Sequence, residues 1–402
     1  MTAPLDVARV RSQFPALGSG TVFLDNAGGS QTLASVADRA RDYLLTTNVQ
    51  LGASYDVSVA AGERVHQAAV GTARFMGTHD PSEIVLGAST TQLVSNLAFS
   101  MKRSFAPGDE VIVTSADHEA NAGPWKRLAR KGVVVREWRI DRDTQRLEPR
   151  DLEPLLGPRT RLVAFTHVSN LLGSIHDVAA ITALAHAHGA AVCVDGVAYA
   201  PHRAIDVKAW DVDYYVFSFY KVYGPHQAAL YGKRARLDAL ACINHEFLAD
   251  QVPYKLQPGN VNFELSHSLG GVYDYVDSLG GKVAAFDAIA AHEERLATRL
   301  LSFLAAQPGV RVFGERTGDR TLRVPTISFV VDGCSPEAIV REVDRARVGI
   351  RHGDFYARRL VEELGLSATG GVIRVSMVHY NTEDEIDRLQ TALEEGIHAV
   401  RH

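Results

Sequence analysis

Seven strongly apolar segments recur between residues 83 and 233, spaced by helical segments. They are EIVLG (83–87), EVIVTS (110–115), GVVVREWRI (132–140), TRLVAFTHVSN (160–170), AAVCVDGVAY (190–199), YYVFSF (214–219) and AALYGK (228–233). Segments apolar on both faces cannot leave one side wet. They predict a mostly parallel seven-stranded sheet covered by helices on both sides. Past residue 280 the pattern changes: the helical stretch 280–307 precedes three further strand candidates, VRVFG, TISFVV and VIRVSMV. A final helix is signposted by Thr382 and Glu385 as a capping box, with Ile386, Leu389, Leu393 and Ile397 on one face. The expected organisation is an α/β large domain over 21–270 and a small α+β domain over 271–402, with an N-terminal segment, 1–20, packing on the small domain.

Composition narrows the partners. A formal charge of −5 argues against a nucleic-acid or anionic-membrane surface, and no run is long enough to span a bilayer. The start of the chain has no signal-peptide core segment. Cys193, Cys242 and Cys334 are far apart and odd in number, which suits a reducing cytoplasm and offers no zinc cluster. His186 and His188 lie two apart on an expected helix and point to different sides. Their place before Gly189 reads as a helix C-terminus, so no metal site is expected.

Ligands of such sheets bind beyond the carboxyl ends of the strands, and four of those ends carry polar groups. Ser89 and Gln92 after the first segment suit a capping box, yet the same helix start, with Thr90 and Thr91, is also an anion site. Asn170 suits a turn, and Asp195 suits a cap or a buried cationic partner. Lys221 ends the next strand, where a solvated lysine is the plain alternative to a desolvated amine able to form an imine. Taken together, an anion cradle, an amide, a carboxylate and an amine meet the requirements of pyridoxal 5′-phosphate (PLP).

The sequence also resembles the class V aminotransferases of PLP fold type I, specifically the cysteine desulfurase-like proteins. The resemblance runs through FLDNAGGSQT (23–32), GASTTQL (87–93), ADHEAN (116–121), HVSNLLGSI (167–175), CVDGVAYAPH (193–202), SFYKVYGPH (218–226), PGNVNFE (258–264) and VIRVSMVHYNTEDEIDRL (372–389). It implies Lys221 as the Schiff-base lysine, Asp195 as partner of the pyridinium nitrogen, Asn170 on the phenolic oxygen and His118 stacked on the ring. It further implies Thr90, Thr91 and Ser218 on the phosphate, with Asn260 reaching the phosphate of a partner subunit in a homodimer. Arg374 matches the arginine that clamps the substrate carboxylate, and Asn26, Tyr356 and His352 are further substrate contacts. Left to its residues alone, Arg374 suits equally a structural Asp or Glu partner.

Three departures bear on activity. The residue before the lysine, histidine in desulfurases, is Tyr220, and Val197, Ala198 and Tyr199 stand where many relatives have a glutamine. The segment matching the desulfurases' nucleophilic cysteine reads GIRHGDFYARRL (349–360) and has none. Cys334 reads as a packing residue before a helix start. The expectation is therefore a PLP-dependent C–S lyase on a cysteine derivative, with Tyr220, Tyr356 or His352 as acid for the leaving group. An epimerase or aminotransferase acting on an amino acid, or a PLP-binding protein without catalysis, is the alternative. Tyr55, Tyr199 and 350–360 are the expected readers of the substrate side chain.

Overall fold

A computed structural model of the chain describes residues 4–402, so residues 1–3 of the expected N-terminal segment lie outside the described residues. After β1 (Val22–Phe23) come the seven strands of the large lobe: β2 (Ile84–Gly87), β3 (Glu110–Thr114), β4 (Val134–Trp138), β5 (Thr160–Thr166), β6 (Ala191–Asp195), β7 (Tyr214–Ser218) and β8 (Ala228–Gly232). Each falls inside one of the seven apolar segments. They form one sheet in the order β2-β8-β7-β6-β5-β3-β4, with β8 antiparallel to both neighbours and the other pairings parallel. Alternate residues go to opposite faces, as the pleat requires. Val163, Val192, Val194 and Phe217 join one core cluster, while Leu162, Ala164, Cys193 and Val216 join the other.

The small lobe carries β9 (Val310–Phe313), β10 (Thr326–Val331), β11 (Val348–Gly349), β12 (Arg351–Gly353) and β13 (Val372–Ser376). Four of these make an antiparallel sheet in the order β12-β13-β10-β9. The long helix Lys282–Ala306 and the final helix Glu383–Arg401 belong to the same lobe, and the second opens with the expected reciprocal bonds between Thr382 and Glu385. No described helix is long and apolar enough to cross a membrane.

Two details refine the expected domain boundaries. β1 pairs with β11 in parallel, so the chain just past residue 21 is joined to the small-lobe side before it enters the large lobe. The N-terminal segment wedges into the seam of both lobes. Arg11 bonds the Tyr380 carbonyl and pairs with Glu385, while Phe14 meets Tyr223 and Tyr275 edge-on and lies 4.9 Å from the Tyr380 ring.

Candidate active site

The strand ends converge on one cavity lined by Thr90, Thr91, His118, Thr166, Asn170, Asp195, Ser218, Tyr220 and Lys221. Ser89 caps the helix Thr90–Met101 through its bond from the Gln92 amide, while the Gln92 side chain reaches the Ala88 amide. That fold of the turn brings the Thr90 hydroxyl within 2.8 Å of the Ser218 hydroxyl, at the ends of two separate elements. Hydroxyls gathered at a helix N-terminus make an anion cradle.

Lys221 sits in a single 3-10 turn, Phe219–Lys221, directly after β7. Its side chain is buried. Burial and then the nearby Arg374 guanidinium bring its ammonium down to about 8, against the supporting charges of Asp195 and Asp25. Asp195 closes β6 beside it and takes the Val197 amide at 2.9 Å. Burial pushes its carboxyl up, opposed by that amide and by Lys221, so a cationic partner in the cavity would restore its charge.

His118 caps the helix Glu119–Lys126, its Nδ1 accepting the Ala120 amide at 3.0 Å. Burial, Lys221 and Arg374 together hold its imidazole down at about 4, so the ring is neutral and carries its proton on Nε2. Asn170 donates from Nδ2 to the Phe355 carbonyl at 2.9 Å, leaving a buried Oδ1 with no hydrogen-bond partner. An orphaned buried oxygen of this kind calls for a polar group in the cavity.

These features fit PLP. The hydroxyl cradle matches a phosphate, Asp195 a ring nitrogen that stays protonated, the free face of Asn170 a polar ring substituent, and Lys221 an aldehyde.

The structure repositions several expected site residues. Arg374 is buried and has a carboxylate partner, Asp25, at 2.8 Å, with the Asn170 carbonyl at 3.2 Å and the Phe355 ring 3.7 Å away. Asn26 faces inward: its amide donates to the Phe23 and Ser376 carbonyls and to Asn381, and its oxygen takes the Tyr380 hydroxyl. It braces the junction, with both amide hydrogens given to that network. His352 pairs across the sheet with Ile373, on the face opposite Arg374, because residues alternate sides along a strand. Its neighbour Arg351 is the residue registered with Arg374. Tyr199 stacks 3.6 Å from His167, on an aromatic cluster away from the cavity lining. Asn260 is exposed and lines a hollow with Gln92 and His226 whose lining does not include Lys221. Tyr356 does stand at the site, its ring 5.2 Å from that of His118, and Tyr55 is an exposed helix cap.

Sequence reasoning missed the residues that hold these side chains in place. Asp117, buried and pushed up to about 7 by that burial, takes hydrogen bonds from Thr114 and Asn121 and so anchors the turn before His118. Tyr215 hydrogen-bonds His167 at 3.0 Å, and its ring lies where a Cβ on Gly196 would go, 2.1 Å from Tyr215 atoms. Gly196→Ala is therefore expected to displace that ring and shift Asp195. The overpacking cost is about 1–3 kcal/mol. Thermal denaturation and PLP retention on gel filtration, compared with wild type, check this.

Comparisons with known proteins agree with the geometry. Residues 22–389 match the family described as aminotransferase class-V. An aminotransferase-like protein of Gibberella zeae is 44% identical over 98% of this chain and 99% of its own length. A cysteine desulfurase-like protein of Aspergillus flavus is 35% identical over 97% of this chain and 90% of its own. Among solved structures, the cysteine desulfurase CsdA from Escherichia coli superposes with a TM-score of 0.88 at 26% identity, covering 99% of this chain and 100% of that one. This chain thus belongs to the class V aminotransferase family of pyridoxal phosphate-dependent enzymes and has their type I fold.

Proposed function

We propose that the protein is a C–S lyase that eliminates the β-substituent of a cysteine derivative without passing sulfur to a protein thiol. The observation that carries this reading is the position of the cysteines. Cys193 is buried within β6 and its thiol is pushed well up by burial, Cys334 belongs to the small-lobe core, and Cys242 bonds the carbonyls of Asn244 and His245. None of them lines the Lys221 cavity. The segment 349–360 has no cysteine and places Phe355 on the Arg374 guanidinium and Tyr356 beside His118.

When bound, PLP supplies an electron sink that stabilises negative charge at the substrate Cα. The chain's residues supply the remainder. Arg374 holds the α-carboxylate, fixing which bond at Cα faces Lys221. Lys221, whose proton is loosely held, takes the Cα proton. Asp195 keeps positive charge on the ring nitrogen. Tyr220 lines the cavity and its hydroxyl is pushed up by burial, so it is protonated at neutral pH and can give its proton to the departing sulfur. Phe355 covers the face of the Arg374 guanidinium. The Cα–H and Cβ–S bonds break, a thiol leaves, and hydrolysis of the remaining fragment yields pyruvate and ammonia.

We place the enzyme in the cytoplasm as a homodimer. The support for the dimer is Asn260, which is exposed and lines a hollow that does not include Lys221, as a residue serving a partner's phosphate would.

The test is product analysis with PLP-loaded protein, L-cysteine, L-cystine and a series of S-substituted cysteines. Pyruvate in amounts matching the released thiol is the expected result. Alanine with released sulfur would mean desulfuration. Neither product from any of them would favour epimerisation or transamination.

A further inference from the structure

Arg374 and Arg351 are cross-strand partners on β13 and β12, and like charges so placed repel unless an anion sits between them. Asp25 is that anion. Its Oδ1 lies 2.8 Å from Arg374 Nη2 and its Oδ2 lies 3.6 Å from Arg351 Nη1. One carboxylate thus serves two guanidinium groups, leaving the cluster one negative charge short.

The Arg374 guanidinium has a half-filled seat. Its Nη1 is spent on the Asn170 carbonyl and its face on the Phe355 ring. A carboxylate binding in the bidentate manner needs the other edge, Nε with Nη2. Nε is buried with no partner, and Nη2 is held by Asp25. The Asp25 backbone is fixed by its bridge to Ser376 and by the Gly28 amide on its carbonyl. The side chain keeps freedom: 28% of it is exposed, and Gly28, where a Cβ would come within 2.8 Å of Oδ2, leaves it room. The Arg351 side chain, 59% exposed, can follow it.

We propose that Asp25 stands in for the substrate's α-carboxylate at Arg374 and is handed to Arg351 when that carboxylate arrives. Asp25 keeps the buried guanidinium paired while the site is empty, since an unpaired buried charge is costly. The incoming carboxylate takes Nε and Nη2, and Asp25 closes on Arg351. Arg351 is then a positioning residue that acts through Asp25 and does not touch the substrate. This rests on Arg374 being the carboxylate seat, not on the fate of the β-substituent.

The experiment measures calorimetric affinity of the PLP-loaded protein for propionate, with propionamide as control, at constant ionic strength. If Asp25 occupies Arg374 about nine-tenths of the time, Asp25→Asn tightens propionate binding about ten-fold. Arg351→Gln weakens it in the wild-type background and has no effect in the Asp25→Asn background, as a double-mutant cycle requires. Arg351→Gln changes an exposed side chain, so it carries the test even where Asp25→Asn folds poorly. Weaker or unchanged binding in Asp25→Asn overturns the proposal, because Asp25 would then only orient Arg374. So does an Arg351 effect that persists without Asp25, which would make Arg351 a direct ligand contact. Propionate binding unaffected by Arg374→Gln would remove the seat itself, whether or not pyruvate is the product.

Discussion

Lys221→Ala is expected to lower turnover by about 10³–10⁴-fold, since it removes a proton-transfer group held at the reacting atom. The change should fall on kcat. Arg374, Asp195 and the Thr90–Ser218 cradle remain, so substrate affinity and thermal stability should change little. The lysine also predicts a pH dependence that can be read without turnover. Only the neutral amine condenses with an aldehyde, and burial together with Arg374 lowers its proton affinity to about 8. Condensation of the apoprotein with PLP, followed by absorbance, should therefore accelerate as pH rises from 6 and level off above about 8, well below the ~10.4 of a free lysine. A midpoint near that of free lysine would mean that the amine is solvated and that the cavity does not activate it. Full turnover in Lys221→Ala would remove Lys221 from the mechanism.

Asp195→Asn carries the second large effect, a loss of about 10²–10³-fold in kcat, as for other single groups aimed at charge that develops in the transition state. The substitution is nearly isosteric. Asparagine can still accept the Val197 amide, so the end of β6 should keep its shape. What disappears is the negative charge proposed to hold a proton on the ring nitrogen. KM should hardly move, because the proposed seat of the substrate carboxylate is Arg374, not Asp195. The Lys221 midpoint should also fall further, since Asp195 is one of the two charges that support its ammonium. An unchanged kcat with a lower Lys221 midpoint would limit Asp195 to tuning the lysine.

The large lobe was readable because its strands, apart from the edge strand β4, are buried on both faces. Such a segment, for example VAFT in β5 or VCVD in β6, has no other comfortable environment. The polar residues ending those strands stood out for the same reason. What escaped were β1, β11 and β12, two or three residues each, too short for any periodicity to register. That gap propagated. Without β12 there was no register against β13, so His352 rather than Arg351 was singled out as a substrate contact. Asp25 lay in a motif already singled out, yet nothing local said that its partner would come from residue 374. Asn26 and Tyr199 were misplaced because their partners, Tyr380 and His167, are distant in sequence. The left-handed backbone at Phe355 (φ 52°) and Tyr356 (φ 59°) had no glycine to announce it.

That left-handed pair is fastened to the large lobe in part by its own main-chain carbonyls. The Phe355 carbonyl takes the Asn170 amide, and the Tyr356 carbonyl takes the Glu119 amide at 2.9 Å. Neither attachment consults the side chain at 355 or 356. Descendants of this sequence can therefore exchange Tyr356, whose side chain is exposed, while the seam between the lobes stays sewn; Phe355 is held by its packing on Arg374. Residue 356 is where a new substrate preference would be cheapest to evolve, and where related chains of one architecture should diverge first.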